Sequence, residues 1–258
     1  MPAIAVPLAV WCLPARAQAA EGLGGWRHLF TRARGTTAAS LAASAVVCEA
    51  LNPILARQLL PLGFSIPQVG LYFAAICFSY TLAAPVCGFL VDRGQSEGRS
   101  EYSRLKLLMV YGWAMSMGAH ALLGPLSLAA GAPVARSLLA VPLLGASAAL
   151  LIVPSLPDMQ EGLHPDDETG RATVCAAWNG IYSFGSALGP LLSSSLFASI
   201  GFCGTCTCLM AIGATAAVML GARARNDDTS RPASNALTTT LQPDTVQVCA
   251  QHLLTHIL

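Results

Sequence analysis

The chain has 258 residues, of which 54% are hydrophobic and only 10% are charged, and its formal net charge is +1. A soluble domain carries roughly 25% charged residues, so most of this chain has no water-facing surface to cover. A net charge this close to zero gives no electrostatic case for a nucleic acid as a partner. The composition therefore excludes an ordinary soluble domain and a nucleic-acid-binding protein.

Long stretches without Asp, Glu, Lys or Arg predict membrane-spanning helices. They cover residues 58–91, 107–135, 137–157 and 172–222. A helix needs about 20 apolar residues to cross a bilayer. In lipid, only helices and closed β-barrels satisfy their backbone hydrogen bonds, and this sequence lacks the alternation of apolar and polar residues that barrel strands show. We expect full spans at residues 37–57, 69–91, 105–123 and 134–157, and a pair at 173–223 that splits near 200–204.

The predicted organisation is an all-α, polytopic membrane bundle of about six helices. Residues 1–14 are interpreted as the end of a truncated transmembrane helix, because a signal peptide would have a basic start and an uninterrupted apolar run. Residues 15–36 form a cytosolic linker, 37–224 the six-helix bundle and 225–258 a cytosolic, largely disordered tail. Dense small residues predict close helix packing, and Pro53, Gly189 and Pro190 are expected to break or bend helices.

The distribution of Lys and Arg predicts the orientation, since cytosolic loops carry an excess of these residues. With the linker in the cytosol, only Arg57 and Arg136 fall on the opposite face. The other twelve lie inside: Arg16, Arg27, Arg32, Arg34, Arg93, Arg99, Arg104, Lys106, Arg171, Arg223, Arg225 and Arg231. This bias predicts an even number of spans with both termini in the cytosol.

Glu49 is the most informative candidate for a binding site. A charge in the middle of a span costs at least about 2.5–3.5 kcal/mol, so this carboxyl is expected to face a cavity, to pair or to be protonated. It suits a proton site or a counter-ion for a cation, although a packed, hydrogen-bonded Glu remains an equal alternative. Asn52, one turn later, lies on the same helix face and is followed by Pro53.

A second polar and aromatic patch consists of Asn179 and Tyr182, with Trp178 beside them. Residues three apart share a helix face, and aromatic faces attract ammonium groups. The patch could therefore line a cation site, or it could serve only in packing between helices. Asp158, at the end of a span, is expected to have a structural or gate-like role.

Catalytic chemistry and metal binding have little support. Cys203, Cys206 and Cys208 have no second pair of ligands nearby and lie in an apolar run, where thiols behave as small hydrophobic groups. We find no catalytic constellation and no phosphate-binding loop, so we expect no enzyme activity, no metal and no cofactor.

One loop resembles that of a known family. Gly88, Leu90, Asp92 and Arg93 form a Gly-x-Leu-x-Asp-Arg pattern at a cytosolic helix end. This pattern resembles the signature of the major facilitator superfamily, at its second-half position between the eighth and ninth helices. Matches that narrow the resemblance to solute carrier family 18, and especially its polyamine branch, run in order through residues 6–14, 51–55, 69–92, 122–125, 153–157 and 183–190.

The resemblance implies a proton-coupled antiporter of small organic cations, of which this chain is the C-terminal half. Glu49 would bind the proton or cation, Asn52, Asn179 and Tyr182 would line the cavity, and Gly88, Asp92 and Arg93 would form the gating motif. The sequence departs from the family at two acidic positions: Asn52 and Asn179 stand where members of the family carry Asp. The alternative is an inactive or partner-binding six-helix membrane protein.

The expected partners are the lipid bilayer, an organic cation and protons. Twelve-helix transporters place the site between two six-helix halves, so a missing N-terminal half or a second copy of the chain would complete it. The expected location is a vesicle, another endomembrane or the plasma membrane.

Overall fold

The computed structural model describes residues 32–93, 101–126, 133–164 and 166–230. Within these ranges every regular element is helical, as predicted. The long helices are α1 (Arg32–Leu59), α2 (Ile66–Arg93), α3 (Glu101–Leu123), α4 (Pro133–Ile152) and α6 (Glu168–Ser230), and the one-turn helix α5 (Ser155–Met159) follows α4. A 3-10 turn, Leu60–Leu62, joins α1 to α2.

Four helical stretches are long and apolar enough to cross a membrane. They are Arg34–Leu62, Ile66–Arg93, Val134–Met159 and Glu168–Asn226. The last has 59 residues and would extend about 90 Å if it were straight, roughly three times the hydrocarbon thickness. It is broken at Gly201, where φ is 71° and ψ is −177°, so it supplies two crossings. The predicted split at 200–204 is confirmed.

The predicted span at 105–123 is the helix α3, which has 23 residues. It is less apolar than the four stretches above because it contains Lys106 and His120. Both side chains are buried inside the bundle, where neighbouring helices rather than lipid surround them. Its low hydropathy therefore reflects an interior position between α4 and α6.

Pro53, Gly189 and Pro190 do not end their helices, and a bend at these positions stays a prediction. Helix α1 continues through Pro53, and α6 continues through Gly189 and Pro190. A proline removes one helical hydrogen bond, but membrane helices tolerate this where neighbouring helices surround the site. The span predicted as one piece at 134–157 is confirmed as the stretch Val134–Met159, within which a turn at Val153 and Pro154 separates α4 from α5.

The boundaries of the bundle also differ from the prediction. Helix α1 begins at Arg32, inside the predicted linker, and α6 continues to Ser230, inside the predicted tail. The Arg residues at both extensions have good helix propensity and favour these added turns. The predicted truncated helix at 1–14, most of the linker and the tail beyond residue 230 lie outside the described residues.

Glycines allow the helices to approach closely. A Cβ placed on Gly185 would lie 2.6 Å from the carbonyl oxygen of Ala42, and one on Gly189 would lie 2.6 Å from that of Val46. Both contacts join α6 to α1. A Cβ on Gly145 would lie 2.5 Å from that of Ser79 and so marks the contact of α4 with α2. These contacts agree with the close helix packing that the dense small residues predicted.

The helices run alternately between two ends of the bundle. Polar contacts of Arg34, Lys106 and Asp158 bring the starts of α1 and α3 to the end of α4. At the opposite end, the Arg57 guanidinium lies 5.0 Å from the centroid of the Phe197 ring. We refer to these as the charged end and the Arg57 end.

Candidate functional site

Glu49 lies on α1, and its carboxylate is only half-buried. The Asn52 amide donates a hydrogen bond to Glu49 Oε2 at 2.5 Å. The spacing of three residues places both side chains on one helix face, as the sequence indicated. The carboxylate thus has one polar partner and an accessible side, which leaves it able to attract a cation or a proton.

Helix α6 brings an aromatic pair to the same region. Gly189 of α6 packs against α1 close to Glu49: a Cβ placed on this glycine would lie 3.0 Å from Glu49 Cβ. Two turns earlier on α6, Tyr182 packs against the buried cluster that contains Leu41 of α1 and Trp178. Its ring stacks on Trp178 with centroids 5.6 Å apart and an interplanar angle of 3°. An acid and aromatic rings on one surface form an environment that suits an organic cation.

Asn179 is less closely tied to this surface. Its side chain is exposed, and its amide donates to the carbonyl oxygen of Cys175 in the same helix, at 3.0 Å. The structure therefore places it on α6 near Trp178 but gives it an intrahelical partner. Its predicted role in lining a cavity stays a prediction.

Tyr80 on α2 was missed as a site residue by the sequence reasoning. It packs against the buried cluster that contains Trp178, and it lies within electrostatic range of Cys48 and Cys87. Three helices thus contribute to one surface: α1 with Glu49, α2 with Tyr80 and α6 with Tyr182. A tyrosine in the middle of an apolar span is the signal that could have identified it, since a buried hydroxyl needs a polar partner.

The predicted gating residues lie at the end of α2. Gly88 is one turn before the end, and Asp92 and Arg93 are both exposed there. The Arg93 guanidinium lies 4.3 Å from the centroid of the Phe89 ring on the same helix. The loop that follows, residues 94–100, lies outside the described residues, so the gating role stays a prediction.

The charged end contains a buried ion pair that the sequence did not predict. Lys106 Nζ lies 2.7 Å from Asp158 Oδ1, and the two side chains are 0% and 1% exposed. Thr37 donates to the second oxygen, Asp158 Oδ2. Lys106 Nζ also lies 3.8 Å from Glu161 Oε2, and Arg34 donates to the Glu161 carbonyl. Asp158 lies at a span end as predicted, but its partners come from distant helices.

Comparisons with known proteins agree with this architecture. The family profile described as Major Facilitator Superfamily matches residues 35–256. The MFS-type transporter SLC18B1 of Homo sapiens is 29% identical over 154 residues, which are 58% of this chain and 31% of the human protein. The protein of the same name from Mus musculus is 27% identical over 205 residues, 76% of this chain and 43% of the relative.

The SLC18B1 protein of Rattus norvegicus is 26% identical over 203 residues, again 76% of this chain and 43% of the relative. The chain therefore spans less than half the length of the curated relatives it matches. These similarities are consistent with solute carrier family 18, the family to which the matches along residues 6–190 narrowed the resemblance. Because the family profile covers most of the chain and the described residues form apolar helices, this chain is an integral membrane protein that belongs to the Major Facilitator Superfamily.

Proposed function

We propose that this chain is the C-terminal half of a secondary transporter that exchanges protons for small organic cations, such as amines or polyamines. The observation that carries the proposal is that Tyr80 and Tyr182 pack against one cluster, while Gly189, two turns after Tyr182 on α6, contacts Glu49 of α1. A negative or protonatable group combined with aromatic faces suits both a cation and a proton. The resemblance to the polyamine branch of solute carrier family 18 supports this substrate class.

In this proposal the carboxyl of Glu49 binds either the proton or the cation, so that the two compete. Asn52, Asn179 and Tyr182 line the cavity. Asp92 and Arg93 stabilise the state that is closed to the cytosol. Alternating access then consists of rocking this six-helix unit against a second one around the site. The second unit would be a segment that precedes this one in a longer chain, or a second copy of this chain.

The orientation belongs to the same proposal. Of the 14 Lys and Arg residues, only Arg57 and Arg136 fall on the non-cytosolic face. The structure supports this assignment because Arg34 and Lys106 lie together at the charged end, and Arg57 lies at the other end with Phe197. Both termini would be cytosolic, in a vesicle, another endomembrane or the plasma membrane.

The test is uptake of radiolabelled spermidine into liposomes that contain the complete protein and carry a pH gradient. Glu49→Gln removes the titratable proton and retains a hydrogen-bond acceptor for Asn52. We expect gradient-driven uptake to fall by at least about tenfold, because one coupling site is lost. Exchange of labelled for unlabelled spermidine without a gradient should fall less, since it needs no proton. Unchanged gradient-driven uptake would show that Glu49 is not the proton site.

Asn52 provides a matched rescue. The double substitution Glu49→Gln and Asn52→Asp moves the carboxyl one turn along the same face, to the position where the family carries its acid. We expect it to recover part of the gradient-driven uptake that Glu49→Gln loses. If it behaves like the single substitution, an acid at position 52 cannot replace Glu49 in this chain.

A further inference from the structure

The short helix α5 is a separate segment between α4 and the loop before α6. Helix α4 ends at Ile152, a turn at Val153 and Pro154 follows, and α5 covers Ser155–Met159. Five residues make little more than one helical turn, so α5 has few internal hydrogen bonds of its own. Its orientation must be set by side-chain contacts with the surrounding helices.

Asp158 provides the strongest of these contacts. One carboxylate oxygen accepts from Lys106 of α3 at 2.7 Å, and the other accepts from Thr37 of α1. All of this lies out of contact with water, since Lys106 and Asp158 are buried. Charge-assisted hydrogen bonds that use both oxygens fix a carboxylate in direction as well as in position. Asp158 therefore fixes α5 against two other helices.

Ser155 transmits this position to α6. It lies three residues before Asp158, so the two share one face of α5. Its hydroxyl accepts a hydrogen bond from the indole Nε1 of Trp178 at 2.8 Å and donates to the Ile152 carbonyl at 2.6 Å. The Trp178 ring is thus held by a group whose own position depends on Asp158.

Trp178 in turn supports the candidate site. Tyr182 stacks on it at 5.6 Å, and the residues that follow it on the same face of α6, Gly185 and Gly189, pack against α1 up to Glu49. We infer that Asp158 is a positioning residue for the cation site: through α5 and Ser155 it holds the Trp178 and Tyr182 rings in place near the contact of α6 with the Glu49 side of α1. The inference rests on the proposed function for the identity of the ligand, but the positioning itself can be measured without transport.

The first test separates affinity from rate in spermidine uptake by the complete protein in liposomes. Asp158→Asn and Ser155→Ala should each raise KM about fivefold, the effect of losing roughly one hydrogen bond's contribution to a bound state. The double variant should raise KM no further, because both changes act through the same Trp178 contact. Asp166→Asn, in the exposed loop before α6, is the matched control and should leave KM unchanged.

The second test does not depend on transport. In a complete protein whose other tryptophans, including Trp11, Trp26 and Trp113 of this chain, are replaced by Phe, Trp178 is the single tryptophan, and acrylamide quenching reports its contact with solvent. Asp158→Asn should raise the quenching constant about twofold, as local loosening exposes buried groups. Asp166→Asn should not change it.

A third variant covers the case in which Asp158→Asn does not fold because Lys106 is left without its buried partner. The combined change Lys106→Met and Asp158→Leu removes both charges and keeps apolar volume, which is often neutral for stability. It should fold and show the same increase in quenching.

The inference is overturned if these variants lower only Vmax or the amount of folded protein with KM unchanged, if the effects of Ser155→Ala and Asp158→Asn add, or if the quenching of Trp178 stays constant. Absence of spermidine uptake by the unaltered protein would count against the proposed function alone. In that case the quenching measurement still decides the role of Asp158.

Discussion

Gly185 shows how one atom can determine the packing of two helices. A Cβ on this residue would lie 2.6 Å from the Ala42 carbonyl oxygen and 2.8 Å from Ala45 Cβ. A backbone carbonyl inside a helix cannot move aside without disturbing the helix. The side of α1 that carries Glu49 and the side of α6 that carries Tyr182 are therefore held together by the absence of a side chain at Gly185 and Gly189.

We expect Gly185→Ala to destabilise the folded protein by about 1–3 kcal/mol, the usual effect of overpacking. The measurement is the midpoint of thermal unfolding in detergent, followed by the amount of protein that remains monodisperse on size exclusion. Gly180→Ala is the matched control on the same helix, because a Cβ there has no atom within 4 Å. That control should be neutral or stabilising, since alanine favours helix over glycine. Equal effects at the two positions would contradict a tight contact at Gly185.

Single residues also show what sequence reasoning can and cannot reach. The position of Glu49 in the middle of a span can be read from the sequence next to it, and so can the presence of Asn52 three residues later on the same helix face. The exceptional character of Glu49 and its pairing with Asn52 could therefore both be predicted. The ion pair of Lys106 with Asp158 joins residues 52 positions apart. Nothing in the local sequence assigns a partner to Lys106, and its burial depends on how α1, α3 and α5 meet.

At the level of elements, the breaks in the helices follow backbone geometry more than composition. Proline was expected to break or bend the helices at Pro53 and Pro190, and both helices continue through these residues. The interruption of α6 lies at Gly201, inside the predicted split at 200–204, with φ 71° and ψ −177°. This conformation is essentially restricted to glycine, and it divides α6 into arms that cover residues 168–200 and 202–230.

Gly201→Ala should therefore destabilise the turn by about 1–3 kcal/mol, the usual energy of such backbone strain. Thermal unfolding in detergent provides the measurement, with Gly221→Ala as the control on the second arm, where a Cβ has no atom within 4 Å. If Gly201→Ala is as stable as the control, the chain passes this point in another conformation, and the division of α6 into two crossings must be placed elsewhere.

For the whole molecule, ligand binding distinguishes the two functions considered for this chain. A transporter with a cation site is stabilised by its ligand, by about 2.7 kcal/mol at a concentration one hundred times Kd. An inactive or partner-binding membrane protein lacks this effect. We expect spermidine to raise the unfolding midpoint of the complete protein, and mannitol, an uncharged solute, to leave it unchanged. Stabilisation by neither solute would favour the partner-binding alternative over transport of amines.

The orientation of the bundle makes a separate prediction. The 3-10 turn after α1 lies at the Arg57 end, and Leu60 within it is 47% exposed. The loop before α6 lies at the charged end, and Asp166 within it is exposed. If cytosolic loops carry the excess of Lys and Arg, the first turn faces away from the cytosol and the second faces into it.

This arrangement can be tested in intact cells that display the protein at the plasma membrane, by labelling with a membrane-impermeant maleimide. Leu60→Cys should react from outside, and Asp166→Cys should react only after permeabilisation. Each signal is compared with that of the unaltered protein, since the seven cysteines within the described residues lie on the helices. The reverse pattern would place the charged end, with its Lys106–Asp158 pair, on the non-cytosolic side. Asp92 and Arg93 could then no longer act as a cytosolic gate, because the same inversion moves the end of α2.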